Sequence, residues 1–171
     1  LSWHVRQGLV DGMHQAVADG AAAIVLICAG RTFIAGADIS EFGGTPKRRS
    51  LTEVQDAMEN APVPVIAAIH GTALGGGSEM ALASDLVVAQ RGAAFGLPEV
   101  KRGLVAAAGG MFRIVDQLPR KIAMQLLLTG EPMSAEEALR WGLINQVVDD
   151  GDSVLEAAVA LADRITVNAP L

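Results

Sequence analysis

Two short aliphatic runs, Ala22 to Cys28 and Pro64 to His70, limit the folds open to this chain more than any other feature. Each is rich in branched residues, too short for a helix of ordinary length, and followed by a glycine-containing turn, as expected for strands buried on both faces. Between and around them the pattern changes period. Val5, Leu9, Val10, Met13, Ala16 and Val17 recur at three- and four-residue steps and predict a helix from Val5 to Asp19. A second helix is predicted from Leu51 to Asn60, ended by the proline pattern APVPV. After the second aliphatic run, Gly75 to Gly77 precede a short helix reaching about Ala83; DLVVAQ predicts a third strand and AAFG a short fourth. Helices follow near Gly109 to Val115, Lys121 to Leu128 and Ser134 to Trp141, then a strand in INQVV and a last helix from Ser153 to Val167. Strands alternating with helices give an α/β layout, and 171 residues suit one domain with a substantial core. No linker, heptad pattern or internal repeat interrupts it.

Composition narrows the function classes. No apolar run approaches the eighteen or so residues that span a bilayer, and the first residues lack the charged-then-apolar layout of a signal peptide. The single cysteine, Cys28, rules out an internal disulfide, and its apolar surroundings read as a buried, inert thiol. The expected location is the cytoplasm. A formal charge of −6 gives no support to nucleic acid or an anionic membrane as partner. His4, His14 and His70 lack the spacing of a metal site, so no metal is expected. Trp3 and Trp141 read as packing residues and the methionines as core or groove filler. The basic run Lys47 to Ser50 reads as a solvated loop, with contact to phosphate as the alternative.

Chemistry concentrates in ALGGGSEM, residues 73 to 80. Three glycines admit a ligand close to the main chain, and the first amides of a helix have no internal partner and carry partial positive charge. The bland alternative is a tight strand-to-helix turn. A second glycine turn, FIAGADIS, follows the other buried strand, and two such turns can aim their amides at one oxygen, forming an oxyanion hole. Other glycine motifs fail. A phosphate-cradling loop needs lysine before serine or threonine, where Ser78 and Glu79 stand; a dinucleotide fingerprint needs glycine at Ser78 or Met80; a nucleophile elbow around Ser78, with His70 as base, needs glycine at position 80. Two glutamates remain to be placed: Glu79, one or two residues into the helix that the glycines introduce, and Glu99, in FGLPEVKRG, a turn between apolar neighbours. Each has a plain alternative as a solvated carboxylate.

FIAGADISEF, HGTALGGGSEMALASDLVVA, FGLPEVKRGL and LLLTGEPMSAEEALRWGLINQVV resemble the successive signature blocks of the enoyl-CoA hydratase (crotonase) superfamily, in the family's order and approximate spacing. The resemblance implies an α/β fold built as a spiral of ββα units, of the ClpP/crotonase-like kind. It implies acyl-CoA thioesters as ligands, coenzyme A arriving as part of the substrate with no separate cofactor. Carried over by position, the amides of Ala37 and Gly76 hold the thioester oxygen. Ala35, Ala37, Asp38, Ile39, Ser40, Gly75, Gly76 and Ala107 line the substrate and CoA site. Glu79 deprotonates the water that attacks C3, and Glu99 delivers a proton to C2. The implied reaction is hydration of a 2-trans-enoyl-CoA; the alternatives are an isomerase, a dehydratase of a decorated acyl-CoA, or a noncatalytic acyl-CoA-binding module.

The sequence departs from the family where VAAAGG places Ala106 and Ala107 at positions commonly held by proline and glycine. That bears on substrate preference more than on reaction class. Residues 1–171 resemble a single core domain lacking the first strands and the C-terminal helical region of the family, as in a piece of a longer chain, with an exposed sheet edge and uncovered apolar surface as consequences. The resemblance implies a homo-oligomer, a trimer or a dimer of trimers. HVRQGLVDGM is also similar to hydratase modules of larger fatty-oxidation proteins.

Overall fold

Strand β2, Val65–Ile69, shows how the aliphatic runs are used. Every residue of it is buried. Val65, Ala67 and Ile69 point into the main core with Val54, Met58, Met80 and Phe95, whereas Ile66 and Ala68 meet Val88 and the Val154, Ala158, Ala162 stripe on the opposite face. A strand covered on both sides has no polar alternation, hence the unbroken apolar run. The computed structural model describes residues 1–41 and 49–168; Lys47 and Arg48 of the basic run, and the side chain of Ile39, lie outside the described part.

β2 lies between β1 (Ile24–Ile27) and β4 (Leu86–Gln90), and β7 (Gln146–Val148) adds to β4, giving a four-stranded, wholly parallel sheet in the order β1-β2-β4-β7. A second sheet, β3-β5-β6, is made of β3 (Thr72–Leu74), β5 (Ala94–Gly96) and β6 (Met133–Ser134), and Ile34 joins it by one bridge to Ala73. The chain winds from one sheet to the other and then into a helix. β1 leads to the Ile34 bridge and helix α2 (Leu51–Glu59); β2 leads to β3 and α3 (Gly76–Leu82); β4 leads to β5, α4 (Gly110–Gln117) and α5 (Arg120–Thr129). These are the ββα turns that the resemblance implies. Helix α1 (Trp3–Ala18) packs on α2, α6 (Ala135–Trp141) joins β6 to β7, and α7 (Val154–Thr166) covers the outer face of the parallel sheet.

Local signals set the helix limits. Ser50 with Glu53 and Ser134 with Glu137 form capping boxes at α2 and α6, and Ser153 caps α7. Gly130 and Gly142 end α5 and α6 in the left-handed conformation. The strands β3 and β6, of three and two residues, are additions to the sequence reading, as is the 3-10 turn Pro98–Arg102 around Glu99. Gly76 and Gly77 lie inside α3 rather than before it.

Several packing expectations are corrected. Cys28 is half-buried, not buried; it touches the core from the sheet end, where burial still pushes its thiol pKa up. Trp141, read as a packing residue, is 40% exposed, whereas Trp3 is half-buried and packs on His4. The expected bare edge and apolar surface are present: β1 is an edge strand with Ile27 exposed, and Val105, Phe112 and Leu128 stand in solvent. Among the described residues no helix is long and apolar enough to cross a membrane.

Candidate active site

Helix α3 begins at a junction of three backbones. Its N-cap, Gly75, takes φ 54° and ψ −121°, a conformation closed to residues with a Cβ, and its N–H donates to the Gly96 carbonyl at 2.9 Å. A Cβ on Gly77 would overlap the carbonyl oxygen of Ile34, so the helix rests directly on the strand-like segment preceding Ala35. That segment is fixed by ladder bonds from Ile34 N–H to Thr72 O at 3.1 Å and from Leu74 N–H to Ile34 O at 2.9 Å. A Cβ on Gly76 would stand 3.9 Å from the Ala37 nitrogen. Two turns far apart in sequence therefore converge, and among the described residues none accepts a hydrogen bond from the N–H of Ala37 or of Gly76.

The Ala35 to Glu41 segment is held at both ends. The Leu1 amino group donates to Gly36 O at 2.6 Å, and Asp38 accepts from Ser40 N–H at 3.0 Å and Ser40 Oγ–H at 2.7 Å. Arg6 donates to Glu41 at 2.7 Å, to Arg49 O at 2.7 Å and to Leu1 O at 2.8 Å, and that guanidinium with the Trp3 N–H holds the Glu41 carboxyl below the usual carboxylate range. Ala35, Ala37 and Ser40 remain exposed at the surface. Arg49 and Ser50 of the basic run serve α2, one pairing with Glu53 and the other capping the helix.

The two predicted acids flank the junction. Glu79 is 4% exposed on α3, and its Oε1 accepts from Gly110 N–H at 3.0 Å. Burial raises its pKa; the Gly110 N–H pulls it down, the negative charge of Glu99 pushes it up, and the Ala108 N–H pulls it down again. Glu99, half-buried on its 3-10 turn, also titrates above the usual range because of burial, opposed by its own main-chain N–H. Its Oε1 would stand 2.8 Å from a Cβ on Gly75, so the glycine makes room for the acid. Its Oε2 is buried and has no hydrogen-bond partner among the described residues.

The remaining predicted residues divide. Ala107 is exposed and lines an open cleft of about 430 Å³ with Thr52, Gly109, Phe112 and Arg113, beside the loop that serves Glu79. The methyl group of Ala106 is buried, 2.9 Å from where a Cβ on Gly110 would lie. Among the described residues the amide that donates to the Glu79 carboxylate is that of Gly110, not that of residue 107. The Gly75 N–H is already bonded to Gly96, which leaves Gly75 as a shaper of the turn. Ser78 is buried and bridges the second sheet, donating to Ala73 O at 2.6 Å and accepting from Gly96 N–H at 2.9 Å. His70 makes no hydrogen bond to it, and its own buried Nε2 has no partner among the described residues. The serine is thus scaffold, not nucleophile. Among the described residues no group of three His, Cys, Asp or Glu is arranged to hold a metal ion.

Sequence reasoning missed Gln55, which is fully buried and donates from Nε2 to the Glu79 carbonyl at 3.1 Å. The signal was present: Leu51, Val54, Gln55 and Met58 share one face of α2, so the glutamine occupies an apolar position. It also missed the Arg113–Glu59 ion pair, which lies behind the Ala108 carbonyl.

The sequence profile described as enoyl-CoA hydratase/isomerase matches residues 1–171. A carnitinyl-CoA dehydratase of Salmonella typhi is 46% identical over 121 residues, 71% of this chain and 44% of that protein. The crystal structure of a carnitinyl-CoA hydratase from Mycobacterium avium superposes with a TM-score of 0.85 at 54% identity, covering 95% of this chain and 65% of that one. An enoyl-CoA hydratase from Mycobacterium tuberculosis gives a TM-score of 0.90 at 43% identity, covering 99% and 68%. The chain thus spans about two thirds of such structures and less than half of that curated relative. Profile, ββα winding and the paired acids agree: the chain belongs to the enoyl-CoA hydratase/isomerase family and has the crotonase fold.

Proposed function

We propose that this chain carries the catalytic core of an acyl-CoA hydratase that adds water across the double bond of a 2-enoyl-CoA thioester. The observation that carries the reading is the pair of unengaged amides, Ala37 N–H and Gly76 N–H, brought together by the contact of α3 with the Ile34 segment. A thioester oxygen placed between them gains negative charge as water adds to C3, and fixed donors stabilise that charge more than they stabilise the ground state. Such a donor typically contributes about 2.7–4 kcal/mol.

The acids divide the proton work. Glu79, whose carboxylate accepts from the Gly110 N–H, takes the proton from water, and Glu99, whose buried Oε2 has no partner among the described residues, delivers a proton to C2, as the family resemblance implies. The reverse sequence eliminates water from a 3-hydroxyacyl-CoA through the same groups, and relatives named as hydratases and as a dehydratase support water chemistry in either direction. Coenzyme A enters as part of the substrate.

The test follows loss of the enoyl-thioester absorbance with short, medium and bulky acyl groups, and with carnitinyl-CoA for the reverse reaction. Glu79→Gln and Glu99→Gln should each lower turnover by about 10²–10⁴-fold while acyl-CoA still binds. Full turnover in both variants defeats the reading, double-bond migration without hydration reassigns the chain to isomerase chemistry, and binding without any turnover makes it a carrier.

A further inference from the structure

Nothing in the hydration chemistry uses Arg113, yet all three nitrogens of its guanidinium are engaged. It lies on α4, its side chain only 20% exposed, and grips the Glu59 carboxylate with both ends of its fork: Nε donates to Oε1 at 2.6 Å and Nη2 to Oε2 at 2.8 Å. The third edge points elsewhere. Nη1 donates to the Ala108 carbonyl at 3.2 Å and occupies the place a Cβ on Gly109 would take. Gly109 has φ +92°, so the peptide between Ala108 and Gly110 adopts a shape that only glycine permits readily, filled by the arginine. From the other side of that turn, Gly110 N–H donates to Glu79 Oε1 at 3.0 Å.

We propose that Arg113 and Glu59 are a positioning pair that holds the Ala108–Gly110 peptide, and through it the Glu79 carboxylate, in the orientation needed for water activation. Glu59 ends α2, and one turn earlier Gln55 donates to the Glu79 main-chain carbonyl at 3.1 Å. One helix therefore secures Glu79 twice, at its backbone directly and at its side chain through the arginine. The geometry needs a guanidinium. A lysine ammonium is a single point on a flexible stem and cannot bind both carboxylate oxygens and a separate carbonyl in fixed directions. The inference rests on the role given to Glu79 above.

The test uses the purified protein and the variants Arg113→Lys, Arg113→Met and Glu59→Gln, each checked for folding by thermal melting. The pair as a positioning device predicts that kcat falls about 10²-fold with KM nearly unchanged. It also predicts that the acid limb of the kcat profile moves to higher pH, since a carboxylate with loosened donors holds its proton longer. The Arg113→Met, Glu59→Gln double variant should be no worse than either single one. Folded Arg113→Lys and Glu59→Gln proteins with unaltered kcat and an unaltered acid limb overturn the proposal. If Arg113→Met does not fold, Glu59→Gln decides alone, because it leaves the arginine in place but ungripped. If the unmodified protein turns over no enoyl-CoA, the hydratase reading has failed, and carbon NMR titration of the Glu79 carboxyl decides the pair: an upward shift in Glu59→Gln supports it, and no shift removes it.

Discussion

Glu79 and Glu99 are the same residue type in two different holdings. The first stands on a helix with seven buried residues, against the Gly110 amide supplied from about thirty residues on. The second stands on a half-exposed 3-10 turn with one oxygen pressed toward a glycine and the other without a partner among the described residues. Burial raises the pKa of both, but only Glu79 has donors from elsewhere in the chain pulling the other way. The difference teaches that what a carboxyl can do is set by its surroundings, here a main-chain donor on one side and the bare face of a glycine on the other, rather than by residue identity; the proposed division between base and acid rests on it.

The strongest way to break this comparison is to neutralise each acid. Glu79→Gln and Glu99→Gln should each lower kcat by about 10²–10⁴-fold, and a Glu99→Gln enzyme with near-normal hydration would assign both proton transfers to Glu79. A smaller effect comes from moving an acid without removing it. Gly110→Ala places a methyl 2.9 Å from Glu79 Cγ, and Gly75→Ala places one 2.8 Å from Glu99 Oε1 at a left-handed φ. Each should cost about 10²-fold in kcat, and equal shifts of the acid limb in the two variants would show that the sites are not distinguished. Ser78→Ala tests the frame that separates them: losing bonds to Ala73 O and Gly96 N–H should destabilise the fold by about 1–3 kcal/mol in denaturant titration.

The least effect is on pH-dependent stability. Because burial raises both carboxyls, the folded protein retains protons that the unfolded chain has released. Their contribution is fully present below the ordinary value of 4.5 and is lost as pH rises through the folded values. Glu79→Gln should therefore melt higher than the unmodified protein at pH 7, by about 2–4 °C for each kcal/mol relieved, with the gap closing toward pH 4.5. A gap that widens on acidification would mean that the donors outweigh burial at Glu79.

Legibility in the sequence followed how local each signal was. β2 announced itself because both of its faces are covered. The capping serines at 50, 134 and 153 marked helix starts to within a residue. β3 and β6 left no trace, since three and two residues carry no period, and their pairing partners lie twenty to forty positions away. The triple glycine pointed to a backbone approach, but what approaches Gly77, the Ile34 carbonyl, is set by tertiary packing. The acids were singled out by family resemblance rather than by pattern, as glutamates on turns and helix starts are ordinary. Gln55 was readable as a polar residue on an apolar face. Arg113 and Glu59, 54 residues apart and both polar on exposed-looking helices, were not.

The direct seating of α3 on the Ile34 segment has one more consequence. Because the Ile34 carbonyl occupies the place a Cβ on residue 77 would take, any side chain there would push the helix off the Ile34 segment and part the Ala37 and Gly76 backbones. The cleft rim at Thr52, Ala107 and Phe112 shares none of that constraint. Under the proposed function, that rim is where acyl preference can be engineered while the thioester grip stays put.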